Sequence, residues 1–240
     1  MRPIQRGLSP QSADFHDYRD AYPYLQSRLG AYCSYCERYI ATNLAVEHIQ
    51  PKALPQYAAL IGRWDNFLLG CVNCNSTKKD KEVVLSEFYL PDRDNTFAVF
   101  EYTPDGRMEP AAHLNPAQQK IAQDTLALMG LDKPASNVQD ENGKLVAIDR
   151  VSQRMEVILT ARRSLKRLQQ QRTAAFQEQI VETALKTGFF SIWMTVFAQD
   201  SEMRCRFIEG FPNTARDCFD QQTQPVSPRP DNGLLHAGKV

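Results

Sequence analysis

Two Cys-x-x-Cys pairs, "YCSYCER" and "LGCVNCNS", constrain this chain more than any other feature, because they bracket an insert at residues 37 to 70. A Cys-x-x-Cys knuckle presents two thiolates on one side of an ion, so two knuckles complete a closed tetrahedral zinc site at ~2.3 Å per Zn–S bond. Cys33, Cys36, Cys71 and Cys74 are therefore read as structural zinc ligands. A thioredoxin-type redox role is the competing reading, but such sites use one pair at the start of a helix rather than two. The insert is longer than a zinc ribbon carries, so a folded element must lie between the knuckles.

That insert contains "AVEHIQP", a short β-branched run ending in a Glu-His pair. A carboxylate beside an imidazole offers a hard metal ligand and a general base at one strand end. Further on, "WDNFLLGC" places Asn66 just ahead of an apolar run into the second knuckle. Asn75 and Lys78 then follow on a helix expected to begin at that knuckle.

The acid-His pair, Asn66, and the second knuckle with Asn75 and Lys78 resemble the HNH endonuclease motif over residues 33 to 81. The variant resembled is the one whose ββα-metal unit is stapled by a four-cysteine zinc site. That resemblance implies an α+β fold. His48 would be the general base for attack on a phosphodiester, and Glu47 with Asn75 would hold a catalytic Mg²⁺ or Mn²⁺. Asn66 would brace the loop that orients His48, and Lys78 would meet a phosphate. Glu stands where many members have Asp, and Asn where the third motif residue is often His, giving an H-N-N version.

Around this unit the chain divides into a helical lead-in (1–30), the nuclease unit (31–82), a β-hairpin extension (83–112), a helical region (113–220) and a loose Pro-rich tail (221–240). "FAVFEYTPDGRMEP" reads as a hairpin turning at Thr103-Pro104-Asp105-Gly106. "LNPAQQKIAQDTLALMGLD" carries Asn115 as N-cap, Pro116 at the first helical position and Gly130 as terminator. A long periodic segment from Leu145 to Lys186 places Val151, Met155, Ile158, Leu165 and Leu168 near one stripe, with Arg154, Arg162, Arg163, Lys166 and Arg167 largely away from it. That basic face is either solvated or a phosphate- or partner-binding surface. "GFFSIWMTVFAQD" is expected as a buried helix.

These flanks are similar to HNH proteins of bacterial anti-phage loci, including the nuclease subunit of Septu systems and of retrons that share it. The similarity implies an ABC-type ATPase partner. No phosphate-cradling Gly-rich loop occurs here, so ATP chemistry would belong to that partner.

Composition sets the outer limits. The 240 residues are 42% hydrophobic, and 28 basic residues balance 28 acidic ones. A nucleic-acid surface must therefore come from local clustering. No stretch approaches the ~18 to 20 apolar residues of a membrane span, and the expected location is cytoplasmic. His16, His113 and His236 match no ligand pattern, and Cys205 and Cys218 read as free thiols. A metal-dependent nuclease acting on DNA is the leading expectation. Its alternative is a non-catalytic zinc-stapled nucleic-acid-binding or scaffold protein.

Overall fold

The computed structural model describes residues 1–135 and 149–240. In the lead-in, Asp17 accepts a hydrogen bond from the Arg19 amide and caps a 3-10 turn at Tyr18–Ala21, which runs into α1 (Tyr22–Leu29). Leu25 and Leu29 of α1 are buried and the helix packs on the unit bracketed by the cysteine pairs.

That unit is a two-stranded antiparallel sheet followed by a helix. β1 (Leu44–His48) pairs with β2 (Phe67–Cys71) so that Glu47 faces Leu68 and His48 faces Phe67. α2 (Val72–Lys78) starts directly at Cys71, whose sulfur accepts from the Cys74 amide. β2 is buried along its whole length, which its apolar run Phe67-Leu68-Leu69 requires.

The hairpin forms, but it is shorter than its aromatic run predicts. Thr96–Val99 makes a helical turn, α3, before β3 (Phe100–Tyr102) and β4 (Met108–Pro110). Backbone bonds from Thr96 to Asp94 and from Ala98 to Asn95 close that turn and outcompete β pairing there. At the hairpin tip Gly106 takes a φ of 79°, a left-handed conformation that favours glycine. α4 (Pro116–Met129) carries a full capping box from Asn115 and Gln118 and ends on Gly130 in the left-handed conformation.

The long periodic segment is two helices, α5 (Arg150–Gln170) and α6 (Ala174–Thr187). Thr173 is extended and its hydroxyl accepts from the Phe176 amide, so a new N-cap interrupts the run. The N-terminal part of that segment, residues 145 to 148, lies outside the described residues. α7 (Phe190–Val196) and α8 (Ser201–Gly210) complete the helical layer. Phe190, Trp193, Phe197, Phe207 and Phe211 pack there with Ile158 and Ile180 into a second core cluster.

Two sequence expectations change. On α5, Arg154 is buried whereas Met155 is 40% exposed. The Arg154 guanidinium donates to the carbonyls of Gly106 and Leu131, so tertiary acceptors pull a cation inward where periodicity put it outside. Residues 221–240 are not a loose tail. Asn95 donates to the Val226 carbonyl, Lys239 pairs with buried Asp94 at 2.9 Å, and the Gly238 amide donates to the Arg93 carbonyl. Long-range polar contacts of this kind leave no pattern in a Pro-rich segment. No helix among the described residues is long and apolar enough to cross a membrane.

Candidate active site

The four cysteines converge. Cys33 and Cys36 sit on a turn in which the Cys33 amide donates to Arg38 and the Glu37 amide donates back to Cys33. That turn is tied to β2 twice, because the Ser34 amide donates to the Leu69 carbonyl at 2.8 Å and the Leu69 amide donates to the Ser34 hydroxyl at 3.2 Å. Cys71 ends β2 and Cys74 lies in the first turn of α2.

All four sulfurs are buried and lie within 4.8 Å of one another. Cys36 and Cys71 are 3.7 Å apart at sulfur. A tetrahedron with Zn–S bonds of ~2.3 Å has edges of about 3.8 Å, whereas a disulfide needs about 2.05 Å. The donor set and spacing thus fit a zinc ion. Arg38 reaches the Cys71 sulfur at 3.2 Å and Arg150 reaches the Cys74 sulfur at 3.5 Å, two cations that offset the net negative charge of four thiolates around a divalent ion.

Glu47 and His48 stand at the end of β1 away from the clamp, because Cys71 pairs with Leu44 whereas His48 pairs with Phe67. Successive strand residues point to opposite faces, and the two side chains have different surroundings. Glu47 is buried, with Oε1 held by the Lys78 ammonium at 2.8 Å and Oε2 accepting from the Tyr35 hydroxyl. Lys78 also donates to the His48 carbonyl at 2.7 Å. Burial pushes the Glu47 carboxyl up, and Lys78 and Tyr35 pull it part of the way back.

Lys78 was expected to meet a phosphate. The structure instead places it 2% exposed as an ion-pair partner of Glu47. Lys78 is the last residue of α2, and its ammonium ends between the Glu47 carboxylate and the His48 carbonyl.

His48 packs edge-on against Tyr18, with ring centroids 4.7 Å apart, and against Phe67 at 5.2 Å. Its Nε2 lies 3.0 Å from the Ile61 carbonyl. A carbonyl can only accept, so Nε2 carries the hydrogen and Nδ1 of the neutral ring is left as the basic nitrogen. Burial lowers the pKa of His48 below its usual value, with the Ile61 bond working against it, so the ring is neutral at pH 7.

Asn66 clamps the loop that follows β1. Its Oδ1 accepts from the Gln50 amide at 2.8 Å, and its Nδ2 donates to the Gln50 and Leu60 carbonyls. This loop also carries Ile61, the acceptor for His48.

Glu47, His48, Asn75 and Lys78 line one cleft of about 810 Å³, together with Tyr18 and Lys52. Lys52 lies 4.0 Å from the Tyr18 ring centroid and donates to its hydroxyl at 2.7 Å. Gly70 lies between the two oxygen donors, because a Cβ there would be 2.9 Å from the Glu47 Cβ and 3.9 Å from the Asn75 Cβ. Sequence reasoning missed Tyr18, Tyr35 and Gly70. The glycine inside an apolar strand run was the one readable signal, since such a glycine marks close approach of another group. Nothing in the pattern shows where either tyrosine side chain reaches. His16, His113 and His236 are not among the residues lining the cleft.

Comparison with known proteins agrees with this geometry. The family profile described as HNH endonuclease matches residues 33–81. A Retron Vc95 protein of Vibrio cholerae serotype O1 biovar El Tor, assigned by its name to the HNH endonucleases, is 28% identical over 145 residues, covering 54% of this chain and 67% of that protein. Residues 33–81, matched by the family profile, span both knuckles, both strands and the helix that begins at the second knuckle. Residues 33–81 are thus an HNH endonuclease domain, a nuclease unit of two strands and a helix clamped by four cysteines.

Proposed function

We propose that the chain is a metal-dependent endonuclease that hydrolyses phosphodiester bonds of DNA, with His48 as general base. The observation that carries this reading is the 3.0 Å contact of His48 Nε2 with the Ile61 carbonyl, which as an acceptor assigns the hydrogen to Nε2 and leaves Nδ1 to take a proton from water. Asn66 keeps that acceptor in place through its bonds to Gln50 and Leu60. Tyr18 and Phe67 confine the ring from two sides.

Glu47 and Asn75 supply hard oxygen donors on either side of Gly70, which suits Mg²⁺ or Mn²⁺ with the remaining positions left to water and phosphate. An ionised carboxylate has about four lone-pair sites, so the bonds to Lys78 and Tyr35 leave room for a cation. When bound, such an ion supplies charge stabilisation at the phosphate and the leaving oxygen. The near-neutral chain contributes local cations to this cleft, with Arg19, Lys52 and Lys79 on its walls.

The retron designation of the Vibrio relative supports a place in bacterial anti-phage defence. In that setting the nuclease acts in the cytoplasm beside an ABC-type ATPase subunit. Arg162, Arg163, Lys166 and Arg167, all exposed on α5, offer a surface for either a partner or a phosphate backbone.

The test is nicking of supercoiled plasmid by the zinc-loaded protein with Mg²⁺ or Mn²⁺, beside an EDTA control and His48→Ala. Cleavage that needs the ion and disappears in the variant is the expected result. Equal cleavage by His48→Ala would refute the assignment of the base. If the protein alone is silent, the same assay is run with the co-purified ATPase.

A further inference from the structure

Tyr35 lies between the two cysteines of the first knuckle, yet its hydroxyl leaves the zinc site and reaches the Glu47 carboxylate. The side chain is 1% exposed, so the bond is sealed from water. The residue beside it, Ser34, ties the same turn to β2 through two hydrogen bonds with Leu69. Leu69 sits in β2 next to Leu68, the residue opposite Glu47.

We propose that Tyr35 is a positioning residue through which the cysteine clamp sets the orientation of Glu47, and with it the affinity of the divalent-cation site. This rests on the reading of Glu47 as a cation ligand. The carboxylate is pinned at both oxygens from opposite ends of the clamp. Tyr35 comes from the first knuckle, and Lys78 comes from the helix that begins at the second.

Both donors are buried, Tyr35 at 1% and Lys78 at 2% exposure, so the two bonds hold the carboxylate plane in one orientation on the cleft wall. Removal of the hydroxyl leaves Oε2 unpaired and lets the carboxylate turn about its last bond toward Lys78. Hydrogen bonds from groups behind a metal ligand orient it, and their loss typically costs about 10- to 100-fold in metal affinity.

The experiment is a Mn²⁺ titration followed by the electron paramagnetic resonance signal of the free ion. It compares the zinc-loaded parent with Tyr35→Phe and Glu47→Gln, measuring zinc content by a colorimetric release assay and folding by circular dichroism. Tyr35→Phe preserves the ring and its packing. The expected result is one Mn²⁺ site in the parent, at least about tenfold weaker binding in Tyr35→Phe with full zinc content and an intact spectrum, and loss of the site in Glu47→Gln. In plasmid cleavage, the Mn²⁺ concentration for half-maximal rate rises by the same factor, while KM for DNA is unchanged.

Parent-like Mn²⁺ affinity in Tyr35→Phe would overturn the proposal while leaving Glu47 as a ligand. Loss of zinc from that variant would also overturn it, because the hydroxyl would then be holding the knuckle rather than the carboxylate. Parent-like binding in Glu47→Gln would remove the ligand assignment itself and the proposal with it.

Discussion

Replacing Lys78 with Met tests whether this lysine is a structural counter-ion or a phosphate contact. The ammonium and the Glu47 carboxylate are each 2% exposed and 2.8 Å apart, and the ammonium also donates to the His48 carbonyl at 2.7 Å. An exposed pair contributes about 0 to 1 kcal/mol, whereas removing one partner of a buried pair costs about 3 to 5 kcal/mol because the other charge is left uncompensated. The burial on both sides decides for the second figure. We expect Lys78→Met to lose about 3 to 5 kcal/mol, a large part of the ~5 to 15 kcal/mol that a folded domain has in total. The double variant Glu47→Gln/Lys78→Met removes both charges and should recover at least about 2 kcal/mol of that loss. The assay is urea denaturation of the zinc-loaded protein, followed by tryptophan fluorescence, for the parent, both single variants and the double variant. A Lys78→Met protein within about 1 kcal/mol of the parent, with weakened plasmid binding, would refute the reasoning and return Lys78 to the phosphate.

Gly70→Ala should cost about 1 to 3 kcal/mol and reduce cleavage more than DNA binding, since the new methyl would stand 2.9 Å from the Glu47 Cβ; denaturation and plasmid assays check both effects. Asp92 is expected to carry an acid-sensitive part of the stability. Burial pushes its carboxyl up, but Arg93 and Arg6 outweigh burial and hold it below the usual range. Its contribution is therefore present above an unfolded value of ~3.9 and lost as pH falls through the lower folded value. Asp92→Asn leaves Arg6 and Arg93 without their counter-charge and should cost about 3 kcal/mol at pH 7, with a gap to the parent that narrows below about pH 4; denaturation at the two pH values measures it. Stripping zinc with a strong chelator should unfold residues 31 to 82, because metal binding to a small unit is folding free energy. Amide hydrogen exchange confined to β1, β2 and α2 is the readout, and unchanged protection there would sink the expectation.

Much of this chain is local in origin and therefore legible. The knuckles at fixed spacing announced a closed four-sulfur site, and Asn115, Pro116 and Gly130 marked both ends of α4 because capping chemistry acts within one turn. The Thr103 to Gly106 turn likewise carries its own geometry. The boundary between α5 and α6 was harder, because Thr173 breaks a hydrophobic period that continues on both sides.

What the sequence by itself determined is the inventory of the site: four thiolates, an acid-His strand end, two asparagines and a lysine in motif order. Tertiary structure decided how that inventory is used. Lys78 turned inward because Glu47 is buried and an uncompensated buried charge is costly, and Arg154 followed the Gly106 and Leu131 carbonyls into the core. Tyr18 and Tyr35 reached His48 and Glu47 from the lead-in and from inside a knuckle, and residues 221 to 240 docked through bonds spanning more than a hundred positions. Such contacts join residues far apart in the chain, and a one-dimensional pattern records only the neighbours that local backbone periodicity brings together.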